Sequence, residues 1–438
     1  MFLEAVLQDV GLYVCITPVE HFIAIQTINI LYQHYIVLHK KAYAMKPAKP
    51  QSATMDEQTF VPPTMRALYY TPIPTTVTDC TAVDGTGARS GLVFDTDHPV
   101  PMPSPTQYLI KVQTAAFSHD ELRLARVLNP TQSIPRIPLH NVCGTVISTP
   151  SQDHWNSSGP KFKVDEVVFG LISYTRDGAA ADYVLATEDE LALKPQNISA
   201  AEAATLPLPA LTAWQALFTY SGLIPRNIKD GTTKRQTLRV LVTNARDSEA
   251  GLQTLQLLRS PSLFPPSHYE QPPWICATCS SAEHENILRS EFYVDETILA
   301  PLPLEPTFNL AAPFHDNRWG PVDIVIDCAG GQMFRQAHHS PHIVKDYGVV
   351  LTAVDPEPAQ QQYQDRNGDK RGIFSRFIGG EPDGEALERI AELVETEHSV
   401  RGRVESIVDL VNSADILEGG AAGAGGARQG GMIVVRVN

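Results

Sequence analysis

Four apolar runs in the second half of the chain limit what it can fold into: LRVLVTN (Leu238 to Asn244), WICATCSS (Trp274 to Ser281), VDIVIDCAG (Val322 to Gly330) and GVVLTAV (Gly348 to Val354). Each is too uniformly hydrophobic for a strand with one wet face. Each is separated from the next by a stretch long enough for a crossover. Parallel strands need such crossovers and are buried on both faces. The spacing therefore predicts an α/β fold built on a doubly wound parallel sheet.

The chain upstream has a different period. MRALYYTPI (Met65 to Ile73) reads as a short opening strand, and TQYLIKVQTAAFS (Thr106 to Ser118) alternates as a half-buried strand does. IPLHNVCGTVIST and VVFGLISYT continue a β-rich reading with Gly and Pro punctuation. Helical spacing then appears in SAAEAATLPLPALTAWQALFTYSG (Ser199 to Gly222), opened by Ser199 as N-cap with Glu202 three residues on. EALERIAELVE, a helix, and MIVVRVN, a strand, close the chain. The predicted organisation is an N-terminal extension over 1–64, a β-rich domain over 65–205, a parallel-sheet domain over 206–374, and a return to the first domain over 375–438.

The extension contains one apolar run, Phe22 to His39, interrupted by Gln26, Asn29, Gln33 and His34. Those side chains would lie in lipid without partners, so no transmembrane span is expected. The segment reads as a dispensable extension or an unused upstream start, with a peripheral membrane or partner helix as the alternative; Lys46 to Pro63 reads as a disordered linker. A formal net charge of −15 argues against a nucleic-acid partner. Six cysteines without framework spacing point to a reducing, cytoplasmic setting.

The turn after the first parallel strand, within VLVTNARDSEAGLQTLQLLRS, has the strand–turn–helix frame that cradles a dinucleotide pyrophosphate, but holds one glycine where such loops carry three. Gly251, the position of close helix–strand packing, is kept. Glu249, Ser248 and Ala245 stand at or near the others. Asp247 and Glu249 add negative charge beside a diphosphate, Arg246 offers compensation, and Ser248 offers a hydrogen bond. The glycine-rich EGGAAGAGGARQGG (Glu418 to Gly431) follows a helix and precedes a strand, the wrong order for a phosphate loop.

DELALKPQNISAAEAATLPLPALTAWQALF (Asp189 to Phe218), with FGLISYTRDGAAADYV before it and EPDGEALERIAELVE after it, resembles the medium-chain dehydrogenase/reductase superfamily, in its zinc-free quinone-oxidoreductase-like branch. The resemblance spans residues 65–438. It implies a GroES-like β-rich domain, a Rossmann domain, a nicotinamide cofactor, commonly a homodimer, and hydride transfer to an activated C=C or quinone carbonyl of a small-molecule substrate. It places Thr212 near the nicotinamide and assigns the cofactor groove to Asn244, Ala245, Arg246, Ser248, Gly251, Cys279, Ser280, Ala329, Gly330, Thr352 and Ala353. After Cys279 and Ser280 no acid follows until Glu283, which leaves room for a 2′-phosphate and favours NADPH over NADH.

No zinc is expected. Ser118 stands where the zinc-using branch places a cysteine, and Asn141 follows His140 where that branch has an acid; serine and a carboxamide are poor zinc ligands. Cys276 and Cys279 form a CxxC, but on a strand their side chains face opposite ways, one buried and one at the cofactor edge. Without a metal, charge developing on the substrate oxygen must be met by hydrogen-bond donors. Candidates are Ser118, His119, His140 and Tyr174, with Tyr174 or a histidine as proton donor. Two competing readings remain: a non-catalytic relative with a decayed nucleotide loop, and a trans-acting enoyl reductase of a biosynthetic pathway.

Overall fold

A computed structural model describes residues 61–70, 92–118, 137–151, 159–223, 237–266, 271–301, 303–354, 371–397, 399–416 and 431–438. The apolar run at 22–39, the linker up to residue 60, most of the glycine-rich stretch at 418–431 and His119 lie outside the described residues.

Where the sequence reads as β-rich, the chain forms β1 (Thr64–Tyr70), β2 (Leu92–Pro99), β3 (Tyr108–Phe117), β4 (Asn141–Ser148), β5 (Val167–Leu171), β6 (Tyr183–Ala186) and β7 (Leu191–Leu193). β1 and β2 pair as an antiparallel ribbon. β3 is more buried than its alternation predicts, with only Lys111 fully exposed. The reason is its central place: it pairs antiparallel with β4 and β6 and, from the far end of the chain, with β15 (Met432–Arg436). β15 in turn pairs with β14 (Val404–Asp409). Through these pairings the last two strands of the chain join the sheet of β3.

Between β7 and the parallel sheet lie α1 (Ala200–Ala204), capped by the Ser199–Glu202 box, and α2 (Pro207–Trp214), which runs on into a π-helical turn at Gln215–Tyr220. The parallel strands follow: β8 (Arg239–Thr243), β9 (Trp274–Cys279), β10 (Glu296–Leu299), β11 (Val322–Asp327), β12 (Val344–Thr352) and β13 (Phe374–Phe377). Their order is β10-β9-β8-β11-β12-β13, all parallel. Read in chain order, that is 3-2-1-4-5-6, the doubly wound arrangement whose topological switch point lies between β8 and β11. β13 lies across residue 374, so the parallel sheet runs on to Phe377 before the chain turns back.

Connecting helices cover the sheet: α3 (Glu249–Leu258), α4 (Ala282–Glu291), α5 (Ala311–Asp316) and α6 (Gly331–His339). The last helix, α7 (Gly384–Thr396), packs on β7 and α2. A single buried cluster joins the two sheets, running from Ala116, Cys143 and Phe169 through Leu211 and Trp214 to Val242, Leu255 and Ile326. α3 is pressed tightly against the turn that precedes it. A Cβ on Gly251 would stand 2.8 Å from the Ala245 carbonyl oxygen and 2.9 Å from its Cα, both backbone atoms that cannot step aside.

Gly251→Ala therefore forces α3 away from β8 and should lower stability by about 1–3 kcal/mol. Gly320→Ala, where an added Cβ would meet nothing within 4 Å, serves as the control. Thermal unfolding of the two variants side by side checks this.

Candidate functional site

The crevice at the carboxyl ends of the parallel strands is organised by one side chain that the sequence reading passed over. Asp327, last residue of β11, is completely buried. Its Oδ1 accepts from the Thr243 hydroxyl (2.7 Å) and its Oδ2 from the Thr352 hydroxyl (2.9 Å), which ties together the ends of β8, β11 and β12. The Gly330 amide donates to both oxygens (3.1 and 3.0 Å) and the Ala329 amide to Oδ1 (3.3 Å). The Cys328 amide donates to Thr243 Oγ1 (3.0 Å). Burial pushes the Asp327 pKa up, against the pull of these donors. The carboxylate thus fixes Ala329, Gly330 and Thr352, three of the expected groove residues. Ala353 joins them through its amide, which donates to the Asp327 carbonyl (2.9 Å). The turn into α6 needs glycine, because Gly330 and Gly331 hold φ of 72° and 53°. An acid closing the apolar run VDIVID was the signal in the sequence.

The glycine-poor turn keeps its shape by other means. Asn244 adopts φ 48°, a left-handed conformation that asparagine tolerates better than most residues. Its amide donates to Thr278 Oγ1 (2.7 Å), and the Ala245 amide to the Thr278 carbonyl (3.2 Å). Thr278, absent from the sequence-derived set, is thus the buttress of the turn. Ser248 caps α3, its hydroxyl accepting from the Gly251 amide (3.2 Å).

Two of the expected groove residues have buried side chains. The Arg246 side chain is buried and lines a cavity of about 620 Å³ with Ser199, Glu202, Arg403 and Glu405, a lining that includes none of the strand-end residues. Burial, and then the Arg403 charge, pull its pKa down. The Cys279 thiol is buried against the Ile298 carbonyl (3.9 Å), with its pKa pushed up to about 11 by burial. Cys276 is buried as well.

The end of β9 is not free of acid, as the sequence had suggested. Asp247 turns toward it from the β8 side. Ser280 Oγ donates to Asp247 Oδ2 (2.9 Å) and lies 3.0 Å from His284 Nδ1, which is itself 3.1 Å from Asp247 Oδ1.

On the β-rich side, His140 and Tyr174 are brought together. Their rings lie 4.3 Å apart, tilted by 32°, and both are buried. His140 Nε2 lies 3.1 Å from the Arg176 carbonyl, which can only accept, so Nε2 carries the hydrogen. The loop bearing Tyr174 is held by buried Glu190, which accepts from the Ser173 and Thr187 amides (both 2.7 Å) and pairs with Arg176. Ser118 follows β3 directly. Since Ala116 pairs with Asn141, Ser118 and His140 sit at the same end of the sheet. Thr212 is buried in α2, where its hydroxyl donates to the Leu208 carbonyl (2.8 Å). Asn141 Oδ1 accepts from the Leu208 amide (2.8 Å) and caps α2, whose flanking Pro207 and Pro209 have no N–H to offer.

His140 Nε2 faces the Arg176 carbonyl, Asn141 Oδ1 accepts from the Leu208 amide of α2, and Ser118 supplies a hydroxyl. Among the described residues no cluster of three His, Cys, Asp or Glu could hold a metal ion. The crevice suits a dinucleotide. The strand ends, the capped start of α3 and the glycine turn into α6 lie on the switch-point crevice, where backbone amides meet phosphates.

No family model matches the chain. It is 31% identical over 345 residues to the "Probable zinc-binding oxidoreductase, mitochondrial" of Arthroderma benhamiae, covering 77% of this chain and 91% of that protein. It is 23% identical over 289 residues to a mitochondrial NAD(P)H oxidoreductase of Dictyostelium discoideum, covering 64% of this chain and 72% of that one. Among solved structures, the quinone oxidoreductase from Coxiella burnetii matches with a TM-score of 0.61 at 20% identity, over 85% of this chain and 99% of that one.

Asp327→Ala would take the acceptor from two hydroxyls and from the Ala329 and Gly330 amides in the interior, and should cost about 3 kcal/mol or more. Asp327→Asn keeps the shape and should recover part of the loss. Thermal unfolding of both variants reads the difference.

Proposed function

The chain belongs to the medium-chain dehydrogenase/reductase superfamily, in its quinone-oxidoreductase-like branch, and is an oxidoreductase; from that premise we propose that it uses a reduced nicotinamide dinucleotide to reduce an activated C=C or quinone carbonyl without zinc. The observation that carries this reading is the turn after β8. It retains a left-handed residue at Asn244, close packing at Gly251 and a capped α3, although most of its glycines are gone. These are the geometric functions of a dinucleotide loop, performed by different side chains.

When bound, the cofactor supplies the hydride. The turn amides and the start of α3 receive its diphosphate, and the backbone of Ala329, Gly330, Thr352 and Ala353 lines its groove. Thr212 borders the nicotinamide end. Tyr174, fixed over His140 by the Glu190 loop, orients the substrate oxygen and delivers the proton that follows hydride addition. Ser118 and His119 belong to the same edge of the substrate cleft. No helix among the described residues is long and apolar enough to cross a membrane. Cys143, Cys276, Cys279 and Cys328 are free, which suits a reducing compartment, and the cytoplasm remains our assignment. A homodimer belongs to the same reading.

A panel of quinones and enones, followed by loss of reduced-cofactor absorbance, tests the activity. Tyr174→Phe should lower kcat by roughly a hundredfold or more while leaving cofactor affinity unchanged. Prolonged dialysis against a chelator should leave the rate intact. A well-folded protein that binds cofactor but reduces nothing in the panel would instead favour a non-catalytic relative.

A further inference from the structure

The cluster at the end of β9 has the residue types of a hydrolytic triad, but not its wiring. In a triad the two nitrogens of the histidine serve the serine and the acid separately. Here the same atom, His284 Nδ1, faces both Ser280 Oγ (3.0 Å) and Asp247 Oδ1 (3.1 Å). Ser280 has one hydroxyl hydrogen and gives it to Asp247 Oδ2 (2.9 Å). Nδ1 therefore meets only acceptors and must carry a hydrogen of its own. The order of donation is His284 to Ser280 to Asp247, and it leaves Asp247 as the terminal acceptor. Its Oδ1 is buried, and no donor is aligned on it.

That carboxylate lies beside the end of the second strand of a doubly wound sheet, where the adenosine ribose of a dinucleotide rests. An acid there accepts from the 2′-hydroxyl of NADH, whereas a 2′-phosphate needs a cation. The strand itself supplies no acid: Ser280 and Ser281 follow Cys279. Asp247 reaches the place from the turn after β8 instead. A cation is not offered in exchange. Arg246, next in the chain, lines the cavity shared with Ser199, Glu202 and Arg403. Exposed Glu283, in the first turn of α4, adds a second negative charge.

We propose that Asp247, held by Ser280 and His284, determines cofactor specificity by accepting from the ribose 2′-hydroxyl, so that the protein selects NADH over NADPH. This rests on the nicotinamide-dependent reading above and reverses the NADPH preference expected from the sequence. The strand end itself lacks an acid. In the fold, the rewritten turn supplies it.

The test is fluorescence titration of NADH and NADPH against the full chain, the wild type beside Asp247→Ser and the near-isosteric Asp247→Asn. The wild type should bind NADH at least tenfold more tightly than NADPH. Both variants should narrow that ratio by tenfold or more, with NADPH gaining affinity. Equal or tighter binding of NADPH by the wild type, or a ratio unmoved in both variants, overturns the assignment while leaving the oxidoreductase reading in place. Binding of neither dinucleotide overturns both.

Discussion

A single desolvated carboxylate holds the functional end of the parallel sheet in register. Asp327 is completely buried, so its charge is tolerable only because two hydroxyls and two amides converge on it. The consequence is mechanical. Thr243 ends β8, Thr352 ends β12, and the Ala329–Gly330 turn leads into α6; each is tied to the same group. The three central strands therefore cannot drift apart at the end where a dinucleotide would lie. Hydrogen bonding elsewhere in the sheet fixes strand register, but this network fixes the turns beyond the strands.

The second constraint is the junction between the β-rich sheet and the parallel one. α2 begins with two prolines, and the amide between them, that of Leu208, is satisfied by Asn141 of β4. Gln215 and Glu381 exchange reciprocal bonds farther along (2.7 and 3.1 Å). Asn141 thus joins β4 to the start of α2. A carboxamide suits this post because it accepts from the amide without bringing a charge into the core. The same strand end carries His140, so the substrate side is positioned by the contact that joins the two halves.

The nucleotide turn shows that a motif can lose its letters and keep its geometry. A glycine-rich loop needs one left-handed residue, one close helix–strand approach and exposed amides at a helix start. Asn244 meets the first need, with Thr278 supporting it, and Gly251 the second. Ser248 caps the helix in addition. Only the second of these requires glycine absolutely, because there the obstacle is backbone, and it is the position at which glycine remains.

The fold was legible where local pattern and burial coincide. The four apolar runs gave the parallel strands, the Ser199–Glu202 box gave the start of α1, and the crossovers gave the winding. β3 was legible as a strand but not as a central one, because its partner β15 enters from the other end of the chain. The site was legible in part. Gly251 and the strand-end residues Gly330 and Thr352 lie where a reading of strand ends puts them, and His140 and Tyr174 do meet. What the sequence by itself determined was which segments are strands and helices, since side-chain period and backbone preference act over a few residues. Only the tertiary structure decided where Asp247, Asp327, Asn141 and Arg246 direct their polar groups. Each finds its partner, or its cavity, in a segment distant in the chain, and no spacing along one dimension encodes which distant segments the folded sheets bring together.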